Sequence, residues 1–223
     1  MDRDAVMARL EALADPAGRE GMVRFGIATD RALGIRVPEL RRLAREIGHD
    51  HRLAQELWDT RVHEARILAS MIDDPAAVTE VQMEAWVRGF DSWDVCDHVC
   101  GNLFDRTPYA YEKAVAWSSR AEEFVKRAAF ALIAYLAVHH KEADDAVFVA
   151  FFPLIEREAA DGRNYVKKAV NWALRQIGKR NRDLNEEAIA VAERVHDIDS
   201  PSARWVASDA LRELQSEAVQ ARL

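Results

Sequence analysis

The chain has little of what marks a secreted, membrane-spanning or β-rich protein. Its 223 residues include two cysteines, Cys96 and Cys100, four positions apart. That is too few for a disulfide framework, and both read as small core thiols. Nine glycines and six prolines leave few positions for tight turns, and no stretch alternates polar and apolar residues as a strand would. The longest unbroken apolar run, AAFALIAYLAV from Ala128 to Val138, has eleven residues, against the ~20 that a membrane span needs. The opening MDRDAVMARLEALADP is charged throughout, which excludes a secretory signal. These absences point to a soluble, cytoplasmic protein that contacts no membrane. Gly178-Lys179-Arg180 lacks the preceding glycine and turn of a phosphate loop. No second Cys/His group stands at ligand spacing from Cys96, His98 and Cys100, so neither a metal nor another cofactor is expected.

What is present is helix-forming. Hydrophobic residues make up 49% of the chain, enough for a sizeable core, and Ala, Leu, Glu and Arg are frequent. Punctuation recurs at Asp15-Pro16, Gly34 to Pro38, Gly48 to Asp50, Asp73 to Pro75, Asp91-Ser92, Thr107-Pro108, Asp161-Gly162 and Ser200-Pro201. Amphipathic stretches of helical length lie between. Three of them share an opening: EFVKRAAFALIAYL (123–136), NYVKKAVNWALRQI (164–177) and PSARWVASDALREL (201–214). Lys126 aligns with Lys167 at an offset of 41, and Ala173-Leu174 with Ala210-Leu211 at 37. A period near 40 is the spacing of stacked helix pairs. The expectation is an all-α, HEAT-like α-solenoid: one domain over residues 1–223, about six antiparallel helix pairs, and a concave basic groove.

The net charge of −7 argues at first against a polyanionic partner. Its distribution argues the other way. Between Gly162 and Arg182 stand Arg163, Lys167, Lys168, Arg175, Lys179, Arg180 and Arg182, with no Asp or Glu. On a helix from Asn164 to Lys179, Val166, Val170, Ala173 and Ile177 form one apolar stripe, while Lys168, Trp172, Arg175 and Lys179 lie on the other side. Two readings remain open: a solvated face with a tryptophan under lysine stems, or a surface that meets a polyanion around a central aromatic.

DSWDVCDHVC (91–100) raises a similar choice. Asp91 or Ser92 can cap a helix starting at Trp93, whose inward face is Val95, Val99 and Leu103. Trp93 and Asp97, one turn apart, then point roughly outward. Either the indole is covered by a neighbouring helix above a solvated carboxylate, or the pair has a chemical role. His49 and His51 read as loop-surface residues, and His139 and His140 as residues at a helix C-terminus.

Taken together, LGIRVPELRRLAREIG (33–48), DSWDVCD (91–97), EFVKRAAF (123–130) and YVKKAVNWALRQIGKRN (165–181) resemble the AlkD-like family of DNA alkylation-repair glycosylases. The resemblance runs from about residue 20 to about 215 in the same motif order. It implies a HEAT-like solenoid that excises N3- and N7-alkylated purines from duplex DNA without flipping the base; the chain itself is expected to be a monomer. Trp93 and Trp172 match the family's active-site tryptophans, Asp97 its catalytic aspartate, and Arg127 the arginine that contacts DNA near the lesion. Arg175 falls at a backbone-contacting position. Lys126, Arg163, Lys168 and Lys179 complete the candidate DNA-binding cations. The alternative is a HEAT-like scaffold that binds DNA, RNA or protein without chemistry.

Overall fold

A computed structural model describes all residues from 1 to 223, and they form two compact units, Met1–Pro108 and Tyr109–Leu223. There are fifteen α-helices, one 3-10 turn and no strand.

The first unit holds α1 (Arg3–Ala12), α2 (Pro16–Val23), α3 (Val37–Ile47), α4 (His51–Asp59), α5 (His63–Ile72), α6 (Glu80–Arg88) and α7 (Trp93–Asn102), followed by the 3-10 turn Phe104–Arg106. The punctuation at Asp15 and Asp50 acts where the sequence places it, and α6 is capped by Thr79 instead of from the Asp73 to Pro75 stretch. Asp15, Asp50 and Thr79 each accept from a first-turn amide of the helix that follows, which stabilises each start by about 1 kcal/mol. Helices α3 and α7 both pack on α5, nearly all of which is buried. The core is aromatic: Trp58 stacks on Trp86 with centroids 4.2 Å apart, Phe90 and Phe104 pack around them, and the Arg66 guanidinium lies 5.0 Å over the Trp58 ring.

The LGI segment before α3 is held by a buried carboxylate. Glu64 accepts from the backbone amides of Leu33, Gly34 and Ile35 at 2.8, 2.7 and 3.2 Å. Gly34 is required there, since its φ is +82° and a Cβ would come within 2.1 Å of the Asp15 carbonyl. His51 differs from its expected loop-surface place. It is the first residue of α4, with Nδ1 2.6 Å from the buried Asp73 carboxylate, which also accepts from Gln82. A carboxylate out of water needs such donors, so the imidazole is drawn in.

The second unit holds α8 (Ala110–Ser118), α9 (Glu123–His139), α10 (Asp145–Val149), α11 (Phe152–Glu158), α12 (Asn164–Gly178), α13 (Arg182–His196), α14 (Pro201–Leu214) and α15 (Glu217–Gln220). The three segments that share an opening are α9, α12 and α14, and α12 packs on both of the others. The 37- to 41-residue offsets are therefore the spacing of one helix pair to the next. The eleven-residue apolar run becomes the middle of α9, buried on almost every side. Gly178 is a packing residue: a Cβ there would meet Leu214 Cδ2 at 2.7 Å and Ala188 Cβ at 2.8 Å, so its absence lets α13 and α14 close on the end of α12. No helix is long and apolar enough to cross a membrane.

Candidate functional site

Helix α7 begins at Trp93, and Val95, Val99 and Leu103 are fully buried, as the spacing requires. The cap is different. Ser92 has the extended backbone of an N-cap, but its hydroxyl donates to the Asp94 carboxylate instead of accepting from an amide. Asp91 is paired with Arg66. A carboxylate is a stronger acceptor than a hydroxyl, so Ser92 is spent on Asp94. Asp94 also lies 2.8 Å from His63 Nε2. Burial pushes the Asp94 carboxyl up, but the His63 and Ser92 bonds outweigh it, and the group titrates below the usual carboxylate range.

Trp93 and Asp97 lie one turn apart on the flank of α7 that is only half-buried. The Trp93 indole N–H donates to the Phe25 carbonyl at 2.9 Å, which fixes the ring against the turn after α2. Phe25 itself is 68% exposed. Nothing in the sequence signals this contact, which joins residues 68 apart. Cys96 and Cys100 are buried thiols with no disulfide, and burial raises the Cys100 thiol well above its ordinary value, so it stays neutral. Burial, the largest influence, lowers the proton affinity of His98, so the residue beside Asp97 brings no positive charge at neutral pH.

In the second unit Trp172 stays off the buried stripe. Val166, Val170, Ala173 and Ile177 are fully buried, whereas Trp172 is half-buried, with its ring at 80° to Tyr135 of α9 and centroids 5.0 Å apart. Arg127 is buried within α9, and its Nη1 donates to the Tyr165 carbonyl at 2.7 Å.

The cations of 162–182 are less available than their run in sequence suggests. Arg175 and Lys179 both donate to Glu213 of α14, Lys179 at 2.6 Å, and Asp209 lies 3.8 Å from Arg175. Burial pushes the Glu213 carboxyl up, but these two donors outweigh it and hold it below its usual range. Arg163 is paired with Asp161 at 2.5 Å, and that bond, the largest influence, holds the Asp161 carboxyl down at about 2. Lys126 is buried between Glu158 and Asp161. Arg180 donates to the carbonyls of Ala137, His140, Lys141 and Ala143, closing the end of α9. Lys167 lies 5.2 Å over the Trp205 ring. Lys168 and Arg182 are exposed and form no ion pair. The run is free of acid only along the chain, because packing brings α14 and the residue just before the run against it.

The family described as "DNA alkylation repair enzyme" matches residues 6–214. No curated protein matches the chain. One solved structure, described as "A new family of proteins related to the HEAT-like repeat DNA glycosylases with affinity for branched DNA structures", aligns over 100% of this chain and 96% of its own, with a TM-score of 0.84 and 20% identity. At that identity the likeness shows the fold, which is the HEAT-like, all-helical one expected from the repeats. A designed armadillo repeat protein aligns over 79% of this chain and 92% of its own, with a TM-score of 0.37 and 16% identity. The family match spans nearly the whole chain, from α1 to the end of α14, and on that ground the protein belongs to the DNA alkylation repair enzyme family.

Proposed function

We propose that this protein is a DNA glycosylase that releases N3- or N7-alkylated purines from duplex DNA by hydrolysing the N-glycosidic bond. The observation that carries the reading is the half-buried flank of α7, where an indole and a carboxylate stand one turn apart, off the buried stripe of Val95 and Val99. Alkylation at N7 or N3 makes the purine a cation. As the C1′–N9 bond breaks, its electron pair neutralises the leaving base, so no protein acid has to protonate it. What remains is to stabilise an oxocarbenium-like sugar and to accept a proton from the attacking water. The Asp97 carboxylate serves both needs, by charge and as a base. The Trp93 ring, fixed by Phe25, adds a π face that favours cationic character by about 0.5–2 kcal/mol and excludes bulk water. Trp172, half-exposed in the second unit, is assigned the same kind of role, and Arg127 the placing of a phosphate near the lesion. Lys126, Arg163, Lys168, Arg175 and Lys179 remain the assigned backbone contacts in that unit, with Lys168 the one free of any carboxylate. None of these roles needs the base to leave the stack.

A second reading is DNA binding without chemistry. The similar protein with affinity for branched DNA suggests the substrate for that reading. Free 7-methylguanine released from a methylated duplex supports the glycosylase. Tight binding of a four-way junction with no base released would support the binding module.

A further inference from the structure

The first unit carries cations that the charge run did not flag. Helix α3 has Arg41, Arg42 and Arg45 with only two carboxylates, and both are engaged: Glu39 with Arg42 at 2.5 Å and Glu46 with Arg9 at 2.6 Å. Arg41 and Arg45 are left exposed and without an ion pair, one turn apart on one face. Arg106, in the 3-10 turn after α7, is likewise exposed and unpaired. The three arginines line a single cleft of about 210 Å³ with Ala44, Met71 and Asn102, and no carboxylate lines it. From the rest of this geometry we infer that Arg41, Arg45 and Arg106 form a clamp for the phosphodiester backbone of DNA, and that this clamp supplies more of the salt-dependent binding than α12 does. The inference rests on the proposed function for its ligand.

The chemistry of the cleft fits phosphate, and a polymer of it better than a small ion. Like charges at i and i+4 cost a helix a few tenths of a kcal/mol, and no ion pair to Arg41 or Arg45 offsets that cost. An anionic ligand would. The cations are all guanidinium groups, whose planar forks match two oxygens of a phosphate, where an ammonium offers only a point charge. Finally, the arginines are exposed, so a lone small anion would be held in high dielectric and screened. A nucleic acid presents neighbouring phosphates together and releases condensed counterions on binding, which a free phosphate does not.

The test is the salt dependence of duplex affinity, followed by fluorescence anisotropy at several salt concentrations. Each phosphate contact on duplex DNA contributes about 0.9 to the slope of log affinity against log salt. Substitution of all three arginines, Arg41→Gln with Arg45→Gln and Arg106→Gln, should lower that slope by about 2–3 with no change in melting temperature. Arg42→Gln on the same helix, already paired with Glu39, should leave it unchanged. If the triple variant fails to fold, each single variant should lose about 0.9. An unchanged slope in the folded triple or single variants overturns the clamp, and if base release persists there, the glycosylase reading survives alone. A wild-type protein that binds no DNA overturns both. Inorganic phosphate bound at millimolar concentration with an unchanged duplex slope would make the cleft a small-anion site and also overturn the clamp.

Discussion

The two units carry charge in opposite ways. The first has fourteen arginines, no lysine and twenty carboxylates, for a net charge of −6; the second has seventeen basic and eighteen acidic residues, including all six lysines, for −1. By net charge the second unit is the better partner for a polyanion. Pairing works against that order, because all but Lys168 of its candidate backbone-binding cations lie against Glu213, Asp209, Glu158 and Asp161, while Arg41, Arg45 and Arg106 share a cleft that no carboxylate lines. Charge counted along a chain says how many cations exist. Packing decides which of them are free to meet a ligand.

The largest expected difference lies between two tryptophans of the second unit. Trp117 is 1% exposed, and Trp117→Ala should cost about 3–5 kcal/mol by opening a cavity. Trp172→Ala, at a half-buried ring with one aromatic edge contact, should cost about 1 kcal/mol. Thermal unfolding of the two variants side by side reads this directly, and equal losses would return Trp172 to the core. In the first unit, Glu64→Ala strands three amides, those of Gly34 and Ile35 buried and that of Leu33 partly so. It should cost about 3 kcal/mol, measured by urea denaturation, and a loss below 1 kcal/mol would show that the LGI segment does not depend on that carboxylate.

A smaller effect sharpens the contrast in charge. Glu213→Gln releases Arg175 and Lys179, so duplex affinity at low salt should rise by a few fold and the salt slope should steepen by about one unit or more. If neither moves, α12 does not face DNA at all. The smallest is a pH effect. Asp161 is depressed from 3.8 to about 2 by Arg163 first and Lys126 later. A carboxyl depressed in the folded state contributes stability that is fully present above its unfolded value and is lost as pH falls through the folded one. The contribution should therefore hold from neutrality down to about pH 4 and disappear between about pH 4 and 2. Acid titrations of wild type and Arg163→Met should diverge above that window and converge within it.

The repeat period, the helix starts at Asp15 and Asp50 and the inward stripes of α7 and α12 were all legible in the sequence, because each follows from local spacing. The pairing of the charges was not. Glu213 lies 34 residues from Lys179 and 38 from Arg175, and only the stacking of α14 on α12 brings them together. The same holds for Phe25 against Trp93 and for Glu64 beneath the LGI segment. Arg41 and Arg45 carried a readable signal, two like charges one helical turn apart, but their freedom depends on where Glu39 and Glu46 point. The place of His51 is set by its buried partner, Asp73, 22 residues away, which local spacing does not reveal.

The account stands most directly on Asp97. Asp97→Asn keeps the size of the side chain and removes its charge, so single-turnover release of 7-methylguanine from a methylated duplex, with protein in excess, isolates the chemistry from binding. The account predicts that release falls by at least about 100-fold, while the duplex dissociation constant and melting temperature stay within a few fold and about 2 °C of wild type. Release by Asp97→Asn at the wild-type rate would contradict it.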